Sequence, residues 1–335
     1  MEHYFKGMWG TYGTGDGQFN RPSALSIDSN GNVYVADTAN QRIQKFTDKG
    51  IFLDKWGSHG NREGEFYTPF DIAVDSNDDN YVLDTYNNRV QKFTSNGDFI
   101  KMWGSQGNGD GEFYLPSGIA IESDDDILVA DTLNFRIQKF TSDGDFIRKW
   151  GSEGEAEDQF VYPYSIAVDS NDDNYITDIG NAGAYIRKFS RTGDFIKAWG
   201  SHGTGDGQFN SPRGIASFSG NSILIVDYGN HRIQEFSRDG IFITKWGKQG
   251  NQPGDFNLPT GVSINKTNGM HYIADSYNYR IQRFHWDPGV VGPFPEKIEE
   301  KLERLSVEEK KTMTEIVILA LKDYFKKRDR KDIKS

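Results

Sequence analysis

The sequence predicts an all-β fold: a six-bladed β-propeller closed by its own N-terminal strand, followed by a short C-terminal α-helical tail. Three observations predict it. Trp-Gly recurs at Trp9, Trp56, Trp103, Trp150, Trp199 and Trp246, in steps of 47, 47, 47, 49 and 47 residues. A Phe follows ten residues after each Trp and a Pro three residues later, and such a period marks a repeat architecture. Each period also holds four short apolar or alternating runs, which suits a propeller blade.

The copy from Pro69 to Trp103 shows the elements in order. Ile72-Ala73-Val74 is a short apolar run, as expected of a strand covered on both faces. Asp75 to Asn80 is a turn cluster, and Tyr81-Val82-Leu83 makes a second strand. After the loop Asp84–Asn88, Arg89 to Thr94 alternates and predicts a half-buried third strand. Asn96-Gly97 is a hairpin signal, and Asp98 to Trp103 completes the blade. Phe93, Phe99 or Ile100, Trp103 and Phe113 should fill the space between neighbouring sheets.

Phasing the copies shows how the ring closes. The last copy has three strands and then runs into His285-Trp286-Asp287-Pro288-Gly289. The missing fourth strand stands at the other end of the chain, as Tyr4 to Gly10. The predicted repeats are therefore 22–56, 69–103, 116–150, 163–199, 212–246 and 259–285 plus 3–9. They form one domain over 1–290, with the helical tail over 291–335.

Composition narrows the functional classes. Aromatics make up 14% and glycines number 37, a mix suited to short strands and tight turns. The absence of Cys excludes disulfides, Cys-ligated zinc and a cysteine nucleophile. The first residues form no secretory signal, and the longest aliphatic run, Ile316–Leu321, cannot span a membrane. The expected setting is the cytoplasm. Net charge is −11; residues 296–335 hold 12 basic and 10 acidic side chains, which leaves −13 on the remainder. That balance disfavours general attraction to phosphate backbones.

These repeats closely resemble the NHL repeat family. The residues that carry the likeness are Gly111-Glu-Phe113-Tyr-Leu-Pro116-Ser-Gly118-Ile119-Ala120, then Val129-Ala-Asp131-Thr-Leu-Asn134-Phe-Arg136-Ile137-Gln138-Lys-Phe140, then Gly144-Asp-Phe146-Ile-Arg-Lys-Trp150-Gly151. The resemblance covers residues 3–285 and implies a six-bladed propeller. It does not imply one function, because the family includes RNA-binding and protein-binding propellers, bacterial sensor domains and a zinc-dependent amidating lyase. Animal members often carry a RING module, which a chain without Cys does not hold. Fold likeness is in any case a weak warrant for activity.

The most conspicuous polar pattern is Asp…Asn-x-Arg: Asp37/Asn40/Arg42, Asp84/Asn87/Arg89, Asp131/Asn134/Arg136, Asp227/Asn230/Arg232 and Asp275/Asn278/Arg280. Repetition in five blades marks it as scaffold, with the Asp accepting from loop amides or from the Arg. The Trp series is structural for the same reason. The fourth copy departs, with two extra residues and Tyr185 in the Arg position. The turns at Asp75–Asp79 and Asp169–Asp173 begin like a calcium loop but lack its Gly and Glu, so they read as polar hairpins. His3, His59, His202, His231, His271 and His285 form no zinc motif. No metal or cofactor is predicted.

Specificity is expected where the repeats differ. The residue after each Pro should stand at the channel mouth, and it runs Ser23, Phe70, Ser117, Tyr164, Arg213, Thr260. Asp71 follows Phe70 where other copies have Ala, Gly or Ser. Loops on the same face carry Tyr86, Phe135, Tyr185, Tyr228, His231, Tyr277 and Tyr279. Aromatics with an Arg suit a protein or peptide hot spot. The leading expectation is thus a non-enzymatic scaffold that binds a protein or peptide. One alternative is single-stranded RNA binding through Arg213, Arg62 and stacked tyrosines. A second is a metal-dependent lyase or lactonase-like hydrolase in the channel.

The tail changes to helical periodicity, with Ile298, Leu302 and Leu305 on one face and a capping box at Ser306–Glu309. Thr312–Phe325 loosely looks like the second helix of ribbon-helix-helix dimers. A self-association or docking helix pair is expected there.

Overall fold

The computed structural model describes residues 2–180, 184–218 and 222–287. Residues 291–335, where the helical tail is predicted, lie outside these. The compact unit is Met1–Trp286. It contains six antiparallel four-stranded sheets, five of them with strands in sequence order from one edge to the other. The first blade comprises Pro22–Ile27, Val33–Asp37, Arg42–Phe46 and Phe52–Trp56. The sixth blade is assembled from both ends: Glu2–Trp9 lies beside Arg280–Asp287, followed by Met270–Asp275 and Val262–Ile264. The closure read from the phase of the repeat is therefore the one observed, and it leaves the outer strand of that blade paired.

Innermost strands of adjacent blades meet around the whole ring. Between each pair of blades lies one hydrophobic cluster, for example Tyr81, Leu83 and Val90 of blade two with Phe113, Ile119 and Val129 of blade three. Corresponding clusters fill the other five seams. Phe99 packs into its seam while Ile100 faces solvent, which decides between the two core candidates. Five of the repeat tryptophans, Trp9, Trp56, Trp103, Trp150 and Trp199, reach under the next blade's hairpin. Gly97 has φ +82°, and a Cβ there would lie 2.7 Å from the Trp56 ring, so both conformation and space require glycine.

The third strands differ from expectation. Arg89–Phe93 alternates in sequence, yet Arg89 is 6% exposed and Gln91 is fully buried. The polar positions point into an internal hydrogen-bond network rather than to water. The fourth strands are the half-exposed ones.

Blade three shows the network. Asp131 accepts from Arg136 Nε at 2.7 Å, from Asn134 at 2.9 Å and from the Tyr114 amide at 2.7 Å. The outer guanidinium nitrogens of Arg136 donate to the carbonyls of Asn108, Gly109 and Glu112 at 2.8, 2.7 and 2.9 Å. The ion pair therefore fastens the incoming loop to its blade. The same Asp–Arg bond recurs at 2.7 Å for Asp37–Arg42, Asp84–Arg89, Asp227–Arg232 and Asp275–Arg280.

Blade four solves its irregularity differently. Tyr185 does face Asp178 across the ladder, in register with the arginines elsewhere. Its ion-pairing role has moved two residues on: Arg187, at the place of Gln138, bonds Asp178 at 2.9 Å. A sixth Asp–Arg pair thus exists where five were read.

Candidate site at the channel mouth

The variable residue after each Pro is delivered by a backbone irregularity. In blade two, Pro69 pairs with Asp84 and Asp71 with Leu83, so Phe70 is the extra residue of a bulge. Register shifts of the same kind occur at Pro22/Ala24, Pro163/Ser165 and Pro212/Ile215. A bulge re-aims a side chain out of the alternating pattern. Here it frees Phe70, Tyr164 and Arg213 from the sheet.

The six positions then divide by size. The hydroxyl residues tie blades together: Ser117 donates to the Tyr164 carbonyl at 2.8 Å, Thr260 donates to the Ser23 carbonyl at 2.7 Å, and Ser23 donates to the Phe70 carbonyl. The three large residues gather above this girdle. Phe70 meets Tyr164 edge-on at 5.6 Å, reaching past the small Ser117. The Arg213 guanidinium lies 5.4 Å from the Tyr164 ring and 3.5 Å from the Tyr228 ring. Burial raises the Tyr228 hydroxyl pKa, Arg213 opposes that shift, and Tyr277 reinforces it. Arg21 stacks over Tyr277 at 5.1 Å and extends the cluster to the blade-six side.

Asp71 sits beneath this cluster in the channel wall. Its carboxylate accepts from the Ile119 amide at 3.0 Å and from its neighbour Ile72 at 2.9 Å. Burial outweighs these two bonds and pushes its pKa up to about 7. Burial likewise pushes Tyr164 up to about 12, so its hydroxyl keeps its proton at neutral pH. The channel encloses a cavity of about 190 Å³ between this mouth and Lys266. Asp71 is the sole carboxylate, with no imidazole, among the described residues lining it.

Six of the sequence-predicted residues are thus brought together: Phe70, Asp71, Tyr164, Arg213, Tyr228 and Tyr277. Others stand apart in pairs of their own. Tyr86 stacks on Tyr67 at 4.9 Å, Phe135 lies 6.1 Å from Tyr162, and Tyr279 meets Tyr12 at 4.9 Å. His231 accepts the Leu258 amide at 3.0 Å and so acts as an inter-blade tie. The Tyr185 side chain lies outside the described ones. Arg21 is the residue that sequence reading missed. It immediately precedes its Pro, two columns before the variable position, and that column also differs among the blades.

A group of three acids, Glu122, Asp124 and Asp126, has metal-like spacing. Cations of the protein already hold it: Lys139 bonds Glu122 at 2.5 Å and Asp126 at 2.8 Å, and Arg191 pairs with Asp124. The acidic hairpins are turns that brace the ring. Asp75 accepts its own loop amides, while Asp125 accepts from Ser76 of the neighbouring blade.

The NHL repeat family matches residues 19–46, 66–93, 113–140 and 209–236, in blades one, two, three and five. The chain carries NHL repeats. Blades four and six are not among the matched segments. No curated protein matches the chain. Among solved structures it is similar to virginiamycin B lyase from Staphylococcus aureus, with TM-score 0.56 and 16% identity over 80% of this chain and 96% of that one. A gluconolactonase from Xanthomonas campestris matches with TM-score 0.60 and 10% identity over 81% and 87%. An auxiliary nutrient binding protein from Bacteroides ovatus matches with TM-score 0.62 and 16% identity over 84% and 76%. At such identities the likeness shows the fold. No helix among the described residues is long and apolar enough to cross a membrane.

Proposed function

We propose that this NHL propeller binds a protein or peptide partner on its channel-mouth face and performs no chemistry on it. The observation that supports this reading most is the delivery of Phe70, Tyr164 and Arg213 by bulges onto one face, joined there by Tyr228 and Tyr277. Large aromatics and an arginine, held rigid by their neighbours, are the residue types that dominate binding energy. The test is partner recovery with a Phe70/Tyr164/Arg213 triple alanine variant. Recovery should fall at least tenfold while the fold persists; unchanged recovery would sink the assignment.

The lyase or lactonase reading draws on the names of two structural neighbours. A channel carboxyl poised near neutrality is the observation in its favour. The channel's donor set opposes a metal-dependent version, since one carboxylate without an imidazole makes a poor site for zinc. Metal analysis of the purified protein should find neither stoichiometric zinc nor calcium. Single-stranded RNA would meet a propeller region with 26 basic and 39 acidic residues, a balance of −13, which weakens that alternative.

A further inference from the structure

We propose that Arg213 is a carboxylate anchor: it receives one carboxylate of the bound peptide, presented edge-on to the guanidinium at the channel mouth. This rests on the partner-binding reading and adds the chemistry that would be recognised.

The blade arginines set the contrast. Arg42, Arg89, Arg136, Arg187, Arg232 and Arg280 each bond a buried aspartate at 2.7–2.9 Å and donate to loop carbonyls. Arg213 has no such partner among the described residues. Its Nε is shut off from solvent and makes no hydrogen bond. The described contacts of its guanidinium are the rings of Tyr164 and Tyr228. Nε is too enclosed to be the docking atom; the two outer guanidinium nitrogens, which make no hydrogen bond among the described residues, are the donors that an acceptor from outside can reach.

The geometry of the stack selects the acceptor. The Tyr228 ring lies against the guanidinium at 3.5 Å and the Tyr164 ring stands 5.4 Å away, an arrangement that favours approach of a ligand in the guanidinium plane. There the N–H groups form a fork that matches a planar carboxylate with two parallel bonds. Tyr164 stays protonated beside it and can add a hydroxyl donor. The charge also suits a monoanion. A second cation of the cluster, Arg21, is stacked on Tyr277, and the Asp71 carboxyl is close enough to act on Tyr164. A phosphate dianion would need more positive charge than one guanidinium brings. A carboxylate can come from a chain terminus or from an acidic side chain, and the fork reads both alike.

The experiment is a calorimetric titration with three small probes. N-acetylglycine carries a terminal carboxylate, N-acetylglutamic acid α-amide a side-chain carboxylate, and N-acetylglycinamide neither. At least one carboxylate should bind in the millimolar range, at least tenfold tighter than the neutral amide. Arg213→Met should abolish that preference, and Arg213→Lys should retain part of it with an unchanged melting curve. Which carboxylate binds better identifies the source. The anchor is overturned if the amide binds as well as both acids, if Arg213→Met binds them undiminished, or if inorganic phosphate binds tighter than either. Partner recovery separates the two readings. A triple variant that loses its partner while wild-type protein shows no carboxylate preference refutes the anchor alone.

Discussion

Two sets of arginines divide this propeller. The blade arginines sit behind aspartates that are fully buried, with nearly every donor spoken for. Arg213 sits at the mouth between two tyrosines, with a donor left over. The first set holds loops to blades, and the cost of breaking it falls on folding. Arg213 makes no ion pair or side-chain hydrogen bond among the described residues; its guanidinium contacts are the rings of Tyr164 and Tyr228. The difference teaches that charge and burial alone do not mark function; an unmet bonding requirement at an opening does.

Substitutions in the scaffold and at the mouth test this division. The largest effect should come from the scaffold. Trp103→Ala removes the ring that lies under Gly144 and packs against Tyr81 and Phe140. It should cost about 3–5 kcal/mol in urea unfolding through the cavity it leaves. A loss below about 1 kcal/mol would mean that the seams do not depend on the repeat's signature residue.

The next effect lies at the closing seam, where no hairpin glycine among the described residues lies above Trp246. His3 takes that place, stacked at 3.7 Å on Trp246 and bonded to Glu235 at 2.9 Å. His271 lies beside it, and burial lowers its pKa to about 3, with His3 and His285 adding repulsion. The unfolded chain takes a proton near pH 6.5, so stability is lost as pH falls from there toward 3. The loss should be on the order of 2–4 kcal/mol. His271→Ile, the residue type found at that place in blades three and five, should flatten the decline.

Asp71 should show the opposite sign. Its folded pKa of about 7 exceeds the ordinary carboxyl value. The folded state therefore holds the extra proton between about pH 4 and pH 7, and stability falls as pH rises through that window. Asp71→Asn should remove about 1–3 kcal/mol of this dependence. A slope that survives the substitution would place its origin elsewhere. The smallest effect is expected at the mouth: the triple alanine variant should lose binding while its melting temperature shifts by about 4 °C or less.

Most of the fold was legible in the sequence because repetition averages out local ambiguity. Six copies set the strand order, and the phase of Trp9 located the closure. The third strands were misjudged because alternation was taken to mean one wet face. Gln91 and Arg89 alternate with apolar residues yet serve an internal network. The candidate site was legible as a column of unlike residues. Which members of that column converge was not, since bulge geometry and the reach of Phe70 over Ser117 depend on neighbouring blades. Arg187 escaped for a related reason: a two-residue shift moves a side chain's place in the ladder while leaving its partner, Asp178, available.

The most direct measurement is urea unfolding of Arg136→Met beside Arg213→Met. The first strands a buried Asp131 carboxylate and should lose about 3–5 kcal/mol. The second should stay within about 1 kcal/mol of the parent protein. Similar losses in both variants would contradict the division between scaffold and mouth on which the account rests.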